Sequence, residues 1–342
     1  MPQIQLSELA KIPQIDHTNL GGRGLASLTF FVDGEWHLWV PTDAGLIRLK
    51  GWPAEGFYFA VQPESEKDGY LHFLDFIAQI GNSQGVSRPM QGLMEDFFNL
   101  SGCLKKFDLL FEYSQKDRSG VSRLVITELE YLFTVCKSIF DLLQEVVAAQ
   151  WQNIRLLDET KRKRQLPETF AAVALEANRL RTEEELVARF LIPKELAAFY
   201  VRSGAFFQIL RTFRDKFVHG GNSPELVFVT ERGFAVQAST KPFSLFNIWN
   251  EEHRLPNDLC SLRPAIAYLV NETLKACEDY ASTIQTVIKF PPPVCPGLTF
   301  FMRGYFNEHL LMNDKALREC LWWEDAQPII PPDLSRQAAP VR

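Results

Sequence analysis

At about residue 90 the spacing of apolar residues changes from two to about three and a half, so strands give way to helices there. Before that point, the β-prone runs 28–32 and 36–40 flank Asp33-Gly34, a pair that favours positive φ and a tight turn. The pattern predicts a hairpin, with further short strands at 45–49 and 57–62. After it, Leu93, Phe97, Leu100, Leu104, Phe107 and Phe111 alternate spacings of four and three and fall on one stripe of a helix. The polar break 116–120 precedes a longer helix over 121–157. Its stripe is Leu129, Leu132, Phe133, Cys136, Ile139, Phe140, Leu143, Val146 and Val147. So short a break predicts an antiparallel pair.

The segment 158–192 is charged and mixed, and reads as broken helix and loop. Pro193 suits the first turn of a third helix, because its missing N–H needs no partner there. Phe199, Ser203, Phe206, Leu210, Phe213 and Phe217 form the third stripe, and Gly220-Gly221 is expected to stop it. A small hairpin follows at 226–229 and 234–236. A fourth amphipathic helix runs from Pro264 to Ile288, and Pro291-Pro292-Pro293 ends it. The remainder, with Trp322-Trp323, is expected to pack back on the core before a polar tail. The expectation is a mainly α fold: a four-helix bundle with a small β-rich N-terminal domain and a short β-hairpin insertion. The boundaries expected are 1–90, 91–290 and a C-terminal extension over 291–342.

Composition limits function. The 342 residues are 46% hydrophobic and include 27 phenylalanines, ample material for a core. The net charge of -6 argues against a protein that coats long nucleic acid, so any such contact is local and transient. The six cysteines form no CxxC pair, no basic start leads into an apolar run, and no apolar stretch approaches the ~20 residues of a membrane span. A reduced cytoplasmic setting without membrane contact is the expectation. There is no GxGxxG after a strand, no GxxxxGK[ST], no HExxH and no GxSxG, so no cofactor is expected. Glu128 and Glu130 diverge on a helix and lack histidine partners, so no metal site is expected.

The chemistry-bearing stretch is the end of the third helix, Leu210-Arg211-Thr212-Phe213-Arg214-Asp215-Lys216-Phe217-Val218-His219. A histidine takes a proton near neutral pH, and an arginine stabilises charge on a phosphoryl oxygen. Together they suit metal-free RNA cleavage: His219 activates the ribose 2′-hydroxyl and Arg214 stabilises the dianionic transition state. The structural alternative is a pair that complements the helix dipole. This region resembles the HEPN superfamily (higher eukaryotes and prokaryotes nucleotide-binding domains), whose mark is Arg, four to six residues, then His, late in a helical bundle. Arg214, Asp215 and His219 match it, with the resemblance covering roughly 91–290. A second match, Arg303 and His309, follows a proline-rich break and has glycine after the arginine, so the first is preferred.

The resemblance implies an endoribonuclease leaving cyclic-phosphate ends, acting as a homodimer whose two motifs share a cleft. A toxin or antiviral defence setting, with an antitoxin or regulatory partner, is implied too. Arg211, Lys216, Lys161, Arg162, Lys163 and Arg164 are candidate RNA-binding residues, although the last four also suit a solvated linker. Asp141 is a candidate to orient the motif. Trp36, Trp39 and Trp52 are candidate stacking groups or core. The rival reading is a non-catalytic HEPN-like module that binds RNA, nucleotide or protein.

Overall fold

The computed structural model describes residues 4–153, 156–158, 160, 162–219, 227–319 and 322–325, with the backbone alone at 153 and 214–219. After a short helix α1 (Leu6–Leu9), the chain builds β1 (Thr29–Val32), β2 (Glu35–Thr42), β3 (Gly45–Leu49) and β4 (Gly56–Ala60). Asp33 and Gly34 both take positive φ, 53° and 78°, which matches the twist of the β1–β2 hairpin. The sheet has order β11-β4-β1-β2-β3, where β11 is Thr299–Arg303. β1 and β4 are parallel and the other pairs antiparallel. Alternation along β4 and β11 sends Phe57, Phe59, Phe300 and Met302 into the main core. Tyr58, Ala60 and Phe301 go to a second apolar cluster on the opposite face, with Phe31 and Trp36.

Next come α2 (His72–Phe76), running into a π-helical turn at Ile77–Gly81, then α3 (Ser87–Ser114) and α4 (Val121–Asn153). All nine α4 stripe residues are buried; on α3, Leu104 and Phe111 are only half-buried. The broken stretch holds α5 (Phe170–Ala174), the two-residue strands β5 (Leu175–Glu176) and β6 (Arg179–Leu180), and α6 (Glu183–Phe190). Thr182 and Glu185 cap α6 reciprocally, a capping box. Then follow α7 (Lys194–His219), β7 (Phe228–Val229), β8 (Phe234–Gln237), β9 (Arg254–Leu255), β10 (Leu259–Ser261) and α8 (Leu262–Ile284). After β11 come α9 (Asn307–Leu311) and α10 (Asn313–Glu319).

The long helices pack on α4. Lys106 of α3 meets Glu128 at 3.0 Å, Phe133 stacks on Phe213 of α7 at 5.1 Å, and Cys136 Sγ approaches the Leu269 carbonyl of α8 at 3.9 Å. These contacts bring the C-terminal halves of α3 and α7 and the N-terminal halves of α4 and α8 to one end of the helical layer. Among the described residues no helix is long and apolar enough to cross a membrane.

The mainly α, four-helix-bundle expectation is corrected by these sheets. The protein is a mixed α/β fold, with a five-stranded mixed sheet and a four-stranded sheet of order β7-β8-β10-β9 beside the helices. Two causes are physical. β11 buries residues on both faces, so its sequence lacks the polar alternation that marks a half-exposed strand. β9 and β10 add two very short strands to what reads locally as an isolated hairpin. Polar ties run between distant stretches as well. The buried Arg23 guanidinium donates to the carbonyls of Asn19, Leu20, Gln79 and Pro292. The Gln79 side chain bonds Cys295 and Leu298. One apolar cluster takes residues from 1–90, 91–290 and 291–342 alike.

Candidate functional site

Phe206, Phe207, Leu210 and Phe213 hold α7 against the core, and its backbone stays helical through His219. Its last turns therefore carry Arg211, Arg214, Asp215, Lys216 and His219. The side chains of Arg214, Asp215, Lys216 and His219 lie outside the described residues; Arg211 is half-buried. On a helix, positions five apart are separated by about 7.5 Å along the axis.

The other candidates do not gather at this end. Asp141 pairs with Lys137 of its own helix at 2.5 Å. Its neighbour Phe140 packs on Phe206 and Phe207, which precede Arg214 by about 10 Å of helix. Lys161 lies outside the described residues, and Arg162 is exposed. Lys163 Nζ donates to the carbonyls of Trp151 and Gln152 and sits 5.7 Å from the Trp151 ring centroid; desolvation pushes its pKa down. Arg164 donates to the Arg189 carbonyl at 2.9 Å, and its own carbonyl accepts the Trp151 indole N–H. These two basic residues thus satisfy carbonyls at the C-terminal ends of α4 and α6. Trp151 lies about 27 Å along α4 from Phe133, the residue stacked on α7 near the motif. Lys163 and Arg164 are therefore at the opposite end of the layer.

The aromatics of the first sheet are also occupied. Trp36 packs on Phe31 and Tyr58, and the Arg303 guanidinium lies 5.2 Å from the Trp36 ring centroid and 5.7 Å from that of Trp52. Arg303 pairs with Glu64 and, at 3.4 Å, with Asp68. Trp52 remains 61% exposed, whereas Trp39 is half-buried with an indole N–H that has no partner among the described residues. Glu128 pairs with Lys106. Among the described residues no three His, Cys, Asp or Glu side chains gather as a metal site would require.

The second Arg–His match is divided between two neighbourhoods. While Arg303 joins Trp36 and Glu64, His309 of α9 turns to α3, where its Nδ1 lies 3.3 Å from Asp108 Oδ2. Asp108 Oδ1 accepts the Trp323 indole N–H at 3.1 Å. The contact turns the Nδ1 edge of the imidazole toward Asp108. His309 and Asp108 line a cleft of about 570 Å³ between α3, the start of α8, α9, α10 and Trp323. Arg263 of α8 is on its wall, with its guanidinium 5.6 Å from the Trp323 ring centroid. The sequence reading missed this cleft because its parts have no common motif: Asp108 and Trp323 are separated by 215 positions. The adjacent tryptophans at 322 and 323, near the end of the chain, were its one local signal.

Compared with protein-family models, curated proteins and solved structures, the chain matches none.

Proposed function

We propose that the protein is a metal-independent endoribonuclease acting in the cytoplasm, with its site at the C-terminal end of α7. The observation that carries this reading is the run Arg214-Asp215-x3-His219, which closes a long helix anchored by four buried aromatic and aliphatic side chains. His219 is the base that takes the 2′-hydroxyl proton, and Arg214 stabilises the developing charge on the phosphoryl oxygens. Asp215 orients the pair. The attacking oxygen bonds to phosphorus as the 5′-oxygen leaves, giving a 2′,3′-cyclic phosphate and a 5′-hydroxyl.

The leaving oxygen needs a proton. A second copy of the motif, in a homodimer, supplies it. Arg211 and Lys216 add local positive charge to an acidic protein, and doubling them in a dimer strengthens the attraction for RNA. Lys163 and Arg164 have no part in this reading, because they hold helix-end carbonyls far along α4. A toxin or defence setting, in which an antitoxin-like partner restrains the cut, fits an enzyme that needs no cofactor.

The test is labelled RNA in EDTA with wild type, His219→Ala and Arg214→Ala, followed by end-group analysis. Cutting with cyclic-phosphate ends that falls by about 10²–10⁴-fold in both folded variants supports the reading. Equal cutting by all three overturns it. RNA binding by the wild type without cutting favours the non-catalytic module.

A further inference from the structure

We propose that the cleft between α3, α8, α9 and α10 binds a small organic anion, with its acidic group on Arg263 and its apolar body on Phe107, Phe111, Ile266 and Met312. The argument starts from the donor. Arg263 is the second residue of α8 and half-buried, and desolvation pushes its pKa down, yet a guanidinium stays charged. It has five N–H donors. Its hydrogen bond to the Trp322 carbonyl is stretched to 3.5 Å, and it forms no ion pair among the described residues.

The carboxylates nearest to it are already engaged. Asp108 accepts from Trp323 and faces His309, and Asp325 pairs with Arg232 at 3.2 Å and accepts the Trp322 N–H. Farther along the rim, Glu324 also meets Arg232, and Glu319 meets Lys315. Among the cleft's charged side chains, Arg263, Lys105 and Glu112 form no ion pair among the described residues. The carboxylates on the lining, five against three cations, disfavour a polyanion such as RNA, so the fitting occupant carries a single acidic group that meets Arg263 directly. A half-buried planar fork without a carboxylate matches a carboxylate or phosphate ester.

The surroundings favour the same occupant. The Trp323 face holds the guanidinium in place, and the Asp108–His309 contact steadies the opposite wall. Leu104, Phe107, Phe111, Ile266 and Met312 supply an apolar lining, and the volume falls within the range of small-molecule sites. None of this depends on Arg214 or His219, so this proposal and the ribonuclease reading stand or fall separately.

Calorimetric titration with 3-phenylpropionate, phenyl phosphate and the neutral 3-phenylpropanamide tests it. The expected result is saturable one-to-one binding of at least one anion, about tenfold or more tighter than the amide, equivalent to about 1.4 kcal/mol. The two anions distinguish a carboxylate site from a phosphate site. Arg263→Met is expected to bring anion affinity down to that of the amide, and Ala316→Trp, which fills the cleft and leaves Arg263 in place, to abolish binding. Lys275→Ala, on the exposed side of α8, should bind as wild type. The proposal is overturned if neither anion saturates the folded wild type at millimolar concentration. It is also overturned if acid and amide bind alike, or if folded Arg263→Met or Ala316→Trp keeps wild-type affinity.

Discussion

Replacing Arg23 by methionine tests how the ends of the chain are joined. The guanidinium donates to four carbonyls at 2.5–2.9 Å, on the loop before the first strand, on the π-helical turn and on the proline-rich segment. Methionine fills much of the same volume and donates nothing. The Leu20 carbonyl still accepts the Arg23 N–H, and the Gln79 carbonyl still accepts the Val294 N–H. Among the described residues the Asn19 and Pro292 carbonyls keep no other protein donor, but both residues are exposed and water replaces part of what is lost. Losing the four side-chain bonds costs about 1 kcal/mol each, and relief from burying the charge offsets part of that. The net loss is about 3 kcal/mol. With an unfolding entropy near 0.7 kcal/mol/K for this chain length, Tm falls by about 4 °C. Thermal and urea unfolding would measure it, and hydrogen exchange should rise first around 19–23 and 291–294. Arg23→Lys should rescue only partly, because one ammonium cannot span four acceptors. A Met variant within about 0.5 kcal/mol of wild type, or full rescue by lysine, would refute the reasoning.

Two further outcomes follow from local features. His253 is buried and desolvation depresses its pKa below the usual 6.5, so the folded state binds fewer protons than the unfolded chain. Its contribution is complete above the unfolded value and is lost as pH falls through the folded one. The urea midpoint should therefore drop from pH 7 to pH 5, and His253→Gln should flatten that slope; an unchanged slope would exclude His253 as its source. Gly233 has φ of +135°, and a Cβ there would meet Trp323 at 2.7 Å. Gly233→Ala should destabilise the protein by about 1–2 kcal/mol and weaken anion binding in the cleft, read by the same titration.

Parts of the architecture are legible in the sequence because their signals are local. Asp33-Gly34 announces the β1–β2 hairpin, and the phenylalanine and leucine spacing announces α3, α4, α7 and α8. β11 is not legible, since Phe300 and Phe301 enter two different apolar clusters and its partner β4 is remote in sequence. The turn before β10 did leave a signal. Asn257-Asp258, both at positive φ, is a pair suited to a tight hairpin, and it marks the β9–β10 ladder. At the sites, the Arg–His run was visible because it is contiguous. The roles of Lys163 and Arg164 were not, because the carbonyls they satisfy belong to helix ends whose position depends on tertiary packing.

The pairing of β4 with β11 also sets an order of events during synthesis. Phe59 leaves the ribosome about 240 residues before Phe300, the residue it lies opposite in the finished sheet. At ordinary translation speeds that interval is about 12–50 s. Through all of it the outer edge of β4, rich in aromatics, is without its neighbour, and Arg23 waits for the Pro292 carbonyl. The first strands can form a hairpin early, but the sheet closes only after Thr299–Arg303 has emerged. A nascent chain stalled before β11 is the form of this protein most exposed to aberrant edge-to-edge association.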